Sequence, residues 1–237
     1  MSHPIVKEGC SVKMLIIMKL MMGDKMTLDY KLIKGSKHIT NNWSGGTTTE
    51  LGIYPENSSY QDRNFTWRIS SATVDLEQSI FTSLPDYNRI IMVLKGNLVL
   101  NHKGQHAATL NEFEQYEFDG GINTESFGKV TDFNLMMRKG ACVGQIEVIK
   151  LDPKSIFTTA FKEFKKEQYS ERIDVYYNIN GEVKLSINES NTILLENKDI
   201  LLVNRKNEKQ KMIFKCYNNC EKDAIIVRSC VIFNNKI

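Results

Sequence analysis

The sequence is poor in proline and histidine, and it contains no long apolar run. Only 4 of its 237 residues are Pro and only 4 are His, which leaves little room for a Pro-rich linker or a histidine-rich metal centre. The most apolar stretch, residues 14–22, is interrupted by Lys19. A membrane-spanning helix needs about 20 apolar residues, so this stretch is too short to cross a bilayer.

The chain also lacks a strong charge of either sign. It has 31 basic and 28 acidic residues, a net charge of +3, and no cluster that forms a basic stripe. Because each neutralised phosphate requires a Lys or Arg, this pattern argues against a nucleic-acid partner. With 41% apolar and 25% charged residues, the composition is that of a globular protein and excludes a disordered or collagen-like chain.

Cysteine is present in an odd number, at positions 10, 142, 216, 220 and 230. A secreted disulfide framework normally uses an even number at regular spacing. Cys216 and Cys220 are three residues apart, but no second pair or neighbouring His completes a zinc site. We therefore expect reduced thiols, a cytoplasmic location and no bound metal or other cofactor.

Residues 1–25 are predicted to be an extension outside the folded protein. A signal peptide could use their short apolar core after Lys7 and Lys13, but no small-x-small cleavage site follows this core, where the next residues are Gly23-Asp24-Lys25. A purine-rich coding stretch before Met26 would resemble a ribosome-binding site, which favours Met26 as the first translated residue.

From residue 28 onward, short strands alternate with turns, which predicts an all-β protein with little helix. The best helix candidate is 158–167. The expected strands are 28–34, 47–54, 65–74, 89–94, 97–101, 114–118, 130–138, 145–151, 174–179, 182–187, 192–195, 199–203, 211–217 and 224–233.

A weak internal repeat suggests two barrels. Residues 93–100 resemble residues 177–185, because each segment has an apolar strand, a Gly turn and a second apolar strand. We expect a first barrel over 26–145 and a second over 146–237, although hairpins of this kind occur in many β proteins.

Several predicted strands carry polar side chains at alternate positions. If these faces meet inside a barrel, Arg68 would anchor an anion, and its charge would be matched by Glu50, by Asp132 or by a carboxylate ligand. If they face outward, they form a solvated sheet, and the period alone leaves both arrangements open. The residues concerned are Thr48, Glu50, Arg68, Ser70, Arg89, Asp132 and Asn134.

Motifs for nucleophilic catalysis and nucleotide binding are missing. The sequence has no G-x-S-x-G elbow, phosphate-binding loop or dinucleotide fingerprint. His102 and His106 flank the turn at Gly104, where we expect them to be exposed and inert.

An ordered set of motifs over residues 45–138 resembles the HutD/Ves family. The motifs are Gly45-Gly46-x-Thr48-x-Glu50-Leu51, Phe65-x-Trp67-Arg68-Ile69-Ser70, Phe81-x-x-Leu84-Pro85-x-Tyr87-x-Arg89, Leu94-x-Gly96, Phe118-Asp119-Gly120 and Asp132-Phe133-Asn134-Leu135-Met136-x-Arg138. The resemblance implies a bicupin, that is, two cupin-type barrels in one chain. It also implies an association with histidine utilisation and the binding, without turnover, of a small carboxylate such as N-formylglutamate or urocanate.

By this resemblance, six of the polar residues named above become the expected ligand-binding set: Thr48, Glu50, Arg68, Ser70, Asp132 and Asn134. One departure is that Ser44 replaces the first glycine of the family's Gly run. Trp43 precedes it and is expected to reshape the pocket mouth.

The metal-ligand pattern of catalytic cupins is not matched. Aligning Gly96 and Gly104 with that pattern places Ser83, Pro85, Arg89 and Gln115 in four ligand positions. None is a good ligand for a transition metal, and Arg89 is itself a cation.

The sequence therefore predicts a metal-free bicupin that binds a small-molecule carboxylate and modulates a catabolic pathway. One alternative is a metal-independent isomerase or epimerase with Glu50 or Asp132 as general base. Another is a protein-interaction scaffold with a vestigial pocket. Neither nucleic acid nor membrane is an expected partner. Edge strands of cupin-like barrels often pair between subunits, which favours a homodimer.

Overall fold

The computed structural model describes residues 29–160, 169–188, 191–206 and 213–234. Within these residues, 19 strands, numbered β1 to β19 in chain order, are joined by turns, and one 3-10 turn spans Gly35–Lys37. No helix in this part of the chain is long and apolar enough to cross a membrane. Residues 1–25 lie outside the described residues, so the expectation for the N-terminus stays a prediction.

The first barrel consists of two antiparallel sheets that face each other. Its six-stranded sheet has the spatial order β2 (Ile39–Trp43), β3 (Gly46–Tyr54), β4 (Trp67–Val74), β11 (Val130–Arg138), β6 (Tyr87–Lys95) and β9 (Gln115–Asp119). Its four-stranded sheet has the order β5 (Gln78–Ile80), β10 (Thr124–Phe127), β7 (Leu98–His102) and β8 (Ala107–Leu110).

The second barrel repeats this arrangement. Its five-stranded sheet has the order β1 (Asp29–Ile33), β17 (Ile200–Lys206), β14 (Tyr169–Asn180), β19 (Ala224–Asn234) and β12 (Cys142–Leu151). Its four-stranded sheet has the order β13 (Ile156–Ala160), β18 (Ile213–Asn218), β15 (Val183–Ile187) and β16 (Asn191–Leu195).

The internal repeat of the sequence corresponds to the corner at which each barrel changes sheet. The order β4-β11-β6-β9 in the first barrel matches β12-β19-β14-β17 in the second. After β6 and after β14 the chain turns at Gly96 and Gly181, which have φ values of +90° and +75°. Glycine, which has no side chain, adopts this positive-φ backbone conformation readily. Each glycine therefore forms the tight turn that connects a strand of the large sheet to a strand of the opposite sheet.

The two barrels share a core between their large sheets. Alternate residues of the six-stranded sheet, such as Trp67, Ile69 and Phe133, pack against β12, β14, β17 and β19. Because successive residues of a strand point to opposite faces, the residues between them face the inside of the first barrel. There Ile91, Val93 and Phe118 pack against Leu98 and Leu100 of the four-stranded sheet.

The structure confirms the all-β, two-barrel prediction and changes some of its details. Strands β2, β5, β8, β10 and β13 were not anticipated. Strand β1 pairs with β17 of the second barrel, whereas the sequence-based division placed it with 26–145. The helix predicted for 158–167 is wrong at its start, because 158–160 belong to β13. Residues 161–168 lie outside the described part.

The shared core predicts that Phe133→Ala is strongly destabilising. Phe133 is fully buried between the two large sheets and stacks on Tyr177, so truncation removes apolar contacts and leaves a cavity. We expect a loss of about 3–5 kcal/mol in unfolding free energy, measured by chemical denaturation. The control is Phe157→Ala on β13, where the ring is exposed, with an expected loss below about 1 kcal/mol. Equal losses would contradict the shared core.

Candidate functional site

The inner face of the six-stranded sheet places the polar side chains in three successive rows. Strand pairing aligns Thr48 with Ala72 and Asp132 in the first row, and Glu50 with Ser70 and Asn134 in the second. The third row contains Arg68, Met136, Arg89 and Phe118. Residues paired directly across antiparallel strands point to the same face, so these rows form one continuous surface.

Arg68 is a buried cation whose hydrogen bonds lie within the predicted set. Its Nε donates to Glu50 Oε2 at 2.8 Å, and its Nη1 donates to Ser70 Oγ at 3.1 Å. The ring of Tyr60 lies 4.6 Å from the guanidinium carbon, which adds a cation–π contact. The Glu50 side chain is 31% exposed, so this ion pair lies at the edge of the interior.

Arg89 is a second buried cation, and it has fewer partners. Its guanidinium carbon lies 4.6 Å from the ring centre of Phe81 and 5.2 Å from that of Phe118. Its one hydrogen bond among the described residues is from Nε to Asn134 Oδ1, at 3.4 Å. Burial lowers the pKa of Arg89 to about 10, which leaves it cationic at neutral pH.

Asp132 is the deepest acidic group of this surface and is only 4% exposed. Its Oδ1 has no hydrogen-bond partner in the described structure. Burial raises the pKa of Asp132 to about 7, while the charge of Arg89 and the backbone N–H of Ala72 act in the opposite direction. At neutral pH the carboxyl group is therefore close to half protonated.

An aromatic cluster closes the barrel beside the arginines. Phe65, Leu84, Tyr87 and Met136 pack together, with Tyr60 against them. Phe65 and Tyr87 stack at 4.3 Å. These groups restrict water around the two guanidinium groups, which strengthens electrostatic interactions at the site.

Within the described residues, no group of three or more His, Cys, Asp or Glu side chains is arranged to hold a metal ion. The inner surface instead contains two guanidinium groups, which repel cations. The donor set of the first barrel therefore does not fit a transition metal.

The comparisons with known proteins agree with this architecture. The family model described as HutD matches residues 35–220. The chain belongs to the HutD family. No curated protein gives a significant match.

Solved structures with similar folds include two from Pseudomonas. A conserved protein of unknown function from Pseudomonas aeruginosa PAO1 has a TM-score of 0.68 at 18% identity, covering 86% of this chain and 98% of the other. HutD from Pseudomonas fluorescens SBW25, in a formate condition, has a TM-score of 0.60 at 17% identity, covering 85% and 98%.

A cupin enzyme has the same fold. Oxalate decarboxylase from Lactobacillus farciminis, in a formate complex, has a TM-score of 0.59 at 8% identity, covering 87% of this chain and 86% of its own. At such identities the likeness shows the fold alone, and it identifies the two barrels of this HutD-family chain as a bicupin.

The residues expected to bind a ligand lie together, but they differ in their contacts. Glu50, Arg68 and Ser70 form one hydrogen-bonded group, and Asn134 joins Arg89 instead. Thr48 is half-buried in the row of Asp132. Whether these residues bind a ligand stays a prediction.

Two further features were missed or misplaced from the sequence. Arg89 was named among the polar strand residues but left out of the expected ligand-binding set, because alternation on β6 does not show which face of the sheet lies inside. His102 was expected to be exposed, but it is buried, and its Nδ1 lies 2.8 Å from Thr124 Oγ1. Trp43 pairs with Gly46 beside Val74, at the other end of the sheet from Arg68 but next to the row of Thr48 and Asp132, so its effect on the pocket mouth stays a prediction.

The second barrel of this HutD-family chain contains its own buried charged cluster. Asp174 is fully buried and accepts hydrogen bonds from Arg172 at 2.8 Å and from Arg205 at 3.4 Å. Arg228 lies 3.7 Å from the same carboxylate and also pairs with Glu147. Sequence reasoning missed this cluster because the strand expected at 174–179 began after Arg172.

The raised pKa of Asp132 predicts a specific pH dependence of stability. The folded chain keeps the proton up to about pH 7, whereas the unfolded chain loses it near pH 4. Over this range the folded state binds more protons, so rising pH destabilises it by up to about 1.4 kcal/mol per pH unit.

Asp132→Asn has a similar shape and cannot ionise, so it removes this contribution. We expect the stability of the wild type, relative to Asp132→Asn, to fall between about pH 4 and about pH 7 in urea denaturation. Asp75→Asn, at an exposed position, is the control and should follow the wild type. Parallel profiles for the wild type and Asp132→Asn would show that Asp132 titrates alike in the folded and unfolded chains.

Proposed function

We propose that the first barrel binds a small carboxylate between Arg68 and Arg89. The observation that carries this proposal is Arg89, a guanidinium only 6% exposed with no carboxylate within 4.0 Å among the described residues. Buried charges in proteins are normally paired, because an unpaired ion loses its hydration without compensation. A carboxylate ligand provides the missing partner.

The chemistry around Arg89 favours a planar anion. Its Nε is directed to Asn134, while its remaining N–H groups can form two parallel hydrogen bonds with a carboxylate. Phe81 and Phe118 lie against the guanidinium and hold its plane. A guanidinium fixed in this way loses little conformational freedom when an anion binds.

Membership of the HutD family supports a place for this binding in histidine utilisation. The family resemblance implies N-formylglutamate or urocanate, and both are carboxylates. The HutD structure from Pseudomonas fluorescens was obtained in a formate condition. For this chain we therefore propose formate, N-formyl-L-glutamate and urocanate as the first ligands to test, and binding as the function that modulates the pathway.

Thermal shift measurements test the proposal. Each of the three acids, at about 100 times its dissociation constant, should raise the melting temperature by about 5–10 °C if it binds the folded state alone. Arg89→Met keeps the length of the side chain and removes its charge, and it should abolish the shift.

The matched control is Arg63→Met, because Arg63 is exposed outside the inner surface, and it should keep the full shift. Retention of the shift by Arg89→Met would contradict the assignment of Arg89 as the anion partner. Absence of a shift with all three acids in the wild type would contradict carboxylate binding itself.

One observation favours a second candidate function, an isomerase or epimerase. A general base works best with a pKa near the operating pH, and burial raises the pKa of Asp132 to about 7. Such an enzyme would remove the proton next to the ligand carboxylate, so N-formyl-L-glutamate in D₂O would exchange its α-hydrogen, visible by proton NMR. Exchange that Asp132→Asn abolishes would favour catalysis, and an intact α-hydrogen would favour binding alone.

A further inference from the structure

Asp132 has one carboxyl oxygen that the described residues leave without a hydrogen-bond partner. The backbone N–H of Ala72 is directed to the carboxyl group. Oδ1 has no partner in the described part of the chain, although Asp132 is only 4% exposed. No cation of the described residues lies within the 4.0 Å of an ion pair. An ionised carboxylate in this position would be buried and incompletely compensated.

The neutral form of Asp132 fits its surroundings better. A neutral carboxyl group carries one O–H, which requires an acceptor. Arg68, Arg89 and the Ala72 amide are donors and cannot accept this hydrogen bond, and Asn134 Oδ1 already accepts one from Arg89. A carboxylate oxygen of a bound ligand can be the acceptor.

The other titratable and charged groups on the inner surface lie on six different segments. They are Glu50 on β3, Tyr60 in the loop before β4, Arg68 on β4, Arg89 on β6, His102 on β7 and Tyr116 on β9. Of these, Arg89 is the one whose charge acts appreciably on Asp132. Arg89 in turn is influenced by Tyr60, Asp132 and Arg68.

The charge balance of the site depends on this proton. Arg68 and Arg89 contribute two positive charges and Glu50 one negative charge, so the surface carries +1 when Asp132 is neutral. One carboxylate then brings the sum to zero. When Asp132 is ionised, the sum is already zero, and an entering anion meets a second negative charge in a medium of low dielectric constant.

We propose that the neutral Asp132 carboxyl group donates a hydrogen bond through Oδ1 to the bound acid, so that each carboxylate enters the first barrel together with one proton. This rests on the proposed function and deepens it. The single carboxylate of the ligand then lies between the guanidinium groups of Arg68 and Arg89 on one side and the neutral carboxyl group of Asp132 on the other. Asp132 thus contacts the ligand and makes its affinity depend on pH.

Calorimetric titration with formate and with N-formyl-L-glutamate tests this coupling, because their carboxyl groups stay ionised near neutral pH. At about pH 8, binding to the wild type should take up close to one proton, read from the difference in heat between two buffers of unlike ionisation enthalpy. Above about pH 7, the affinity should fall up to tenfold per pH unit.

Asp132→Asn keeps a hydrogen-bond donor at this position and removes the titration. It should bind both acids without proton uptake and with a flat pH profile. The exposed control Asp75→Asn should behave as the wild type. Should Asp132→Asn fail to fold, proton uptake by the wild type still supports the inference, and its absence overturns it.

The outcomes separate the two proposals. Binding of either acid without proton uptake, and with an affinity constant between about pH 6 and about pH 8, would overturn the role of Asp132 and leave carboxylate binding intact. No binding of either acid at any pH in this range would overturn both. Proton uptake that persists in Asp132→Asn would assign the proton to another group and also overturn this inference.

Discussion

The structure depends on one constraint: a guanidinium group lies inside the first barrel with no ionic partner among the residues that the structure describes. Arg89 is buried between Phe81 and Phe118, and its neighbour Arg68 has already used Glu50 as its counter-ion. Burial makes an unmatched charge costly, so an anion bound at this point would stabilise the folded chain. Burial also raises the pKa of Asp132 to about 7, so that below this pH the barrel has no second carboxylate to offset the charge of Arg89.

The fold creates this situation by giving the six-stranded sheet two unlike faces. Its outer residues, including Trp67 and Phe133, form the core shared with the second barrel. Its inner residues are therefore fixed in register, since a slip of one position would expose the apolar side chains and bury the polar ones in the shared core. The shared core thus positions the polar inner surface, although it lies on the other face of the sheet.

Much of the fold and part of the candidate site could be predicted from the sequence. The period-2 alternation in β4, β11 and β6 is strong, and Gly96 and Gly181 indicate the turns at which the chain changes sheet. Alternation placed Arg68 with Ser70 and Asp132 with Asn134, but it could not decide which face of the sheet lies inside. That depends on the packing of the second barrel on Trp67 and Ile69, a contact between distant parts of the chain. The polar strands β2, β5 and β10 were missed because their short runs carry few apolar residues. The burial of His102 was missed because a position next to a turn does not reveal that the imidazole ring packs on Tyr116 and Phe118.

The most direct test of the central claim is a crystal structure grown with bromoacetate, in which the anomalous signal of bromine locates a small carboxylate independently of the protein density. The account predicts one dominant bromine site inside the first barrel, with the carboxylate oxygens within hydrogen-bonding distance of Arg89 and an oxygen facing Asp132 Oδ1. Bromine sites confined to the outer surface or to the second barrel, with the Arg89 guanidinium unoccupied, would contradict it.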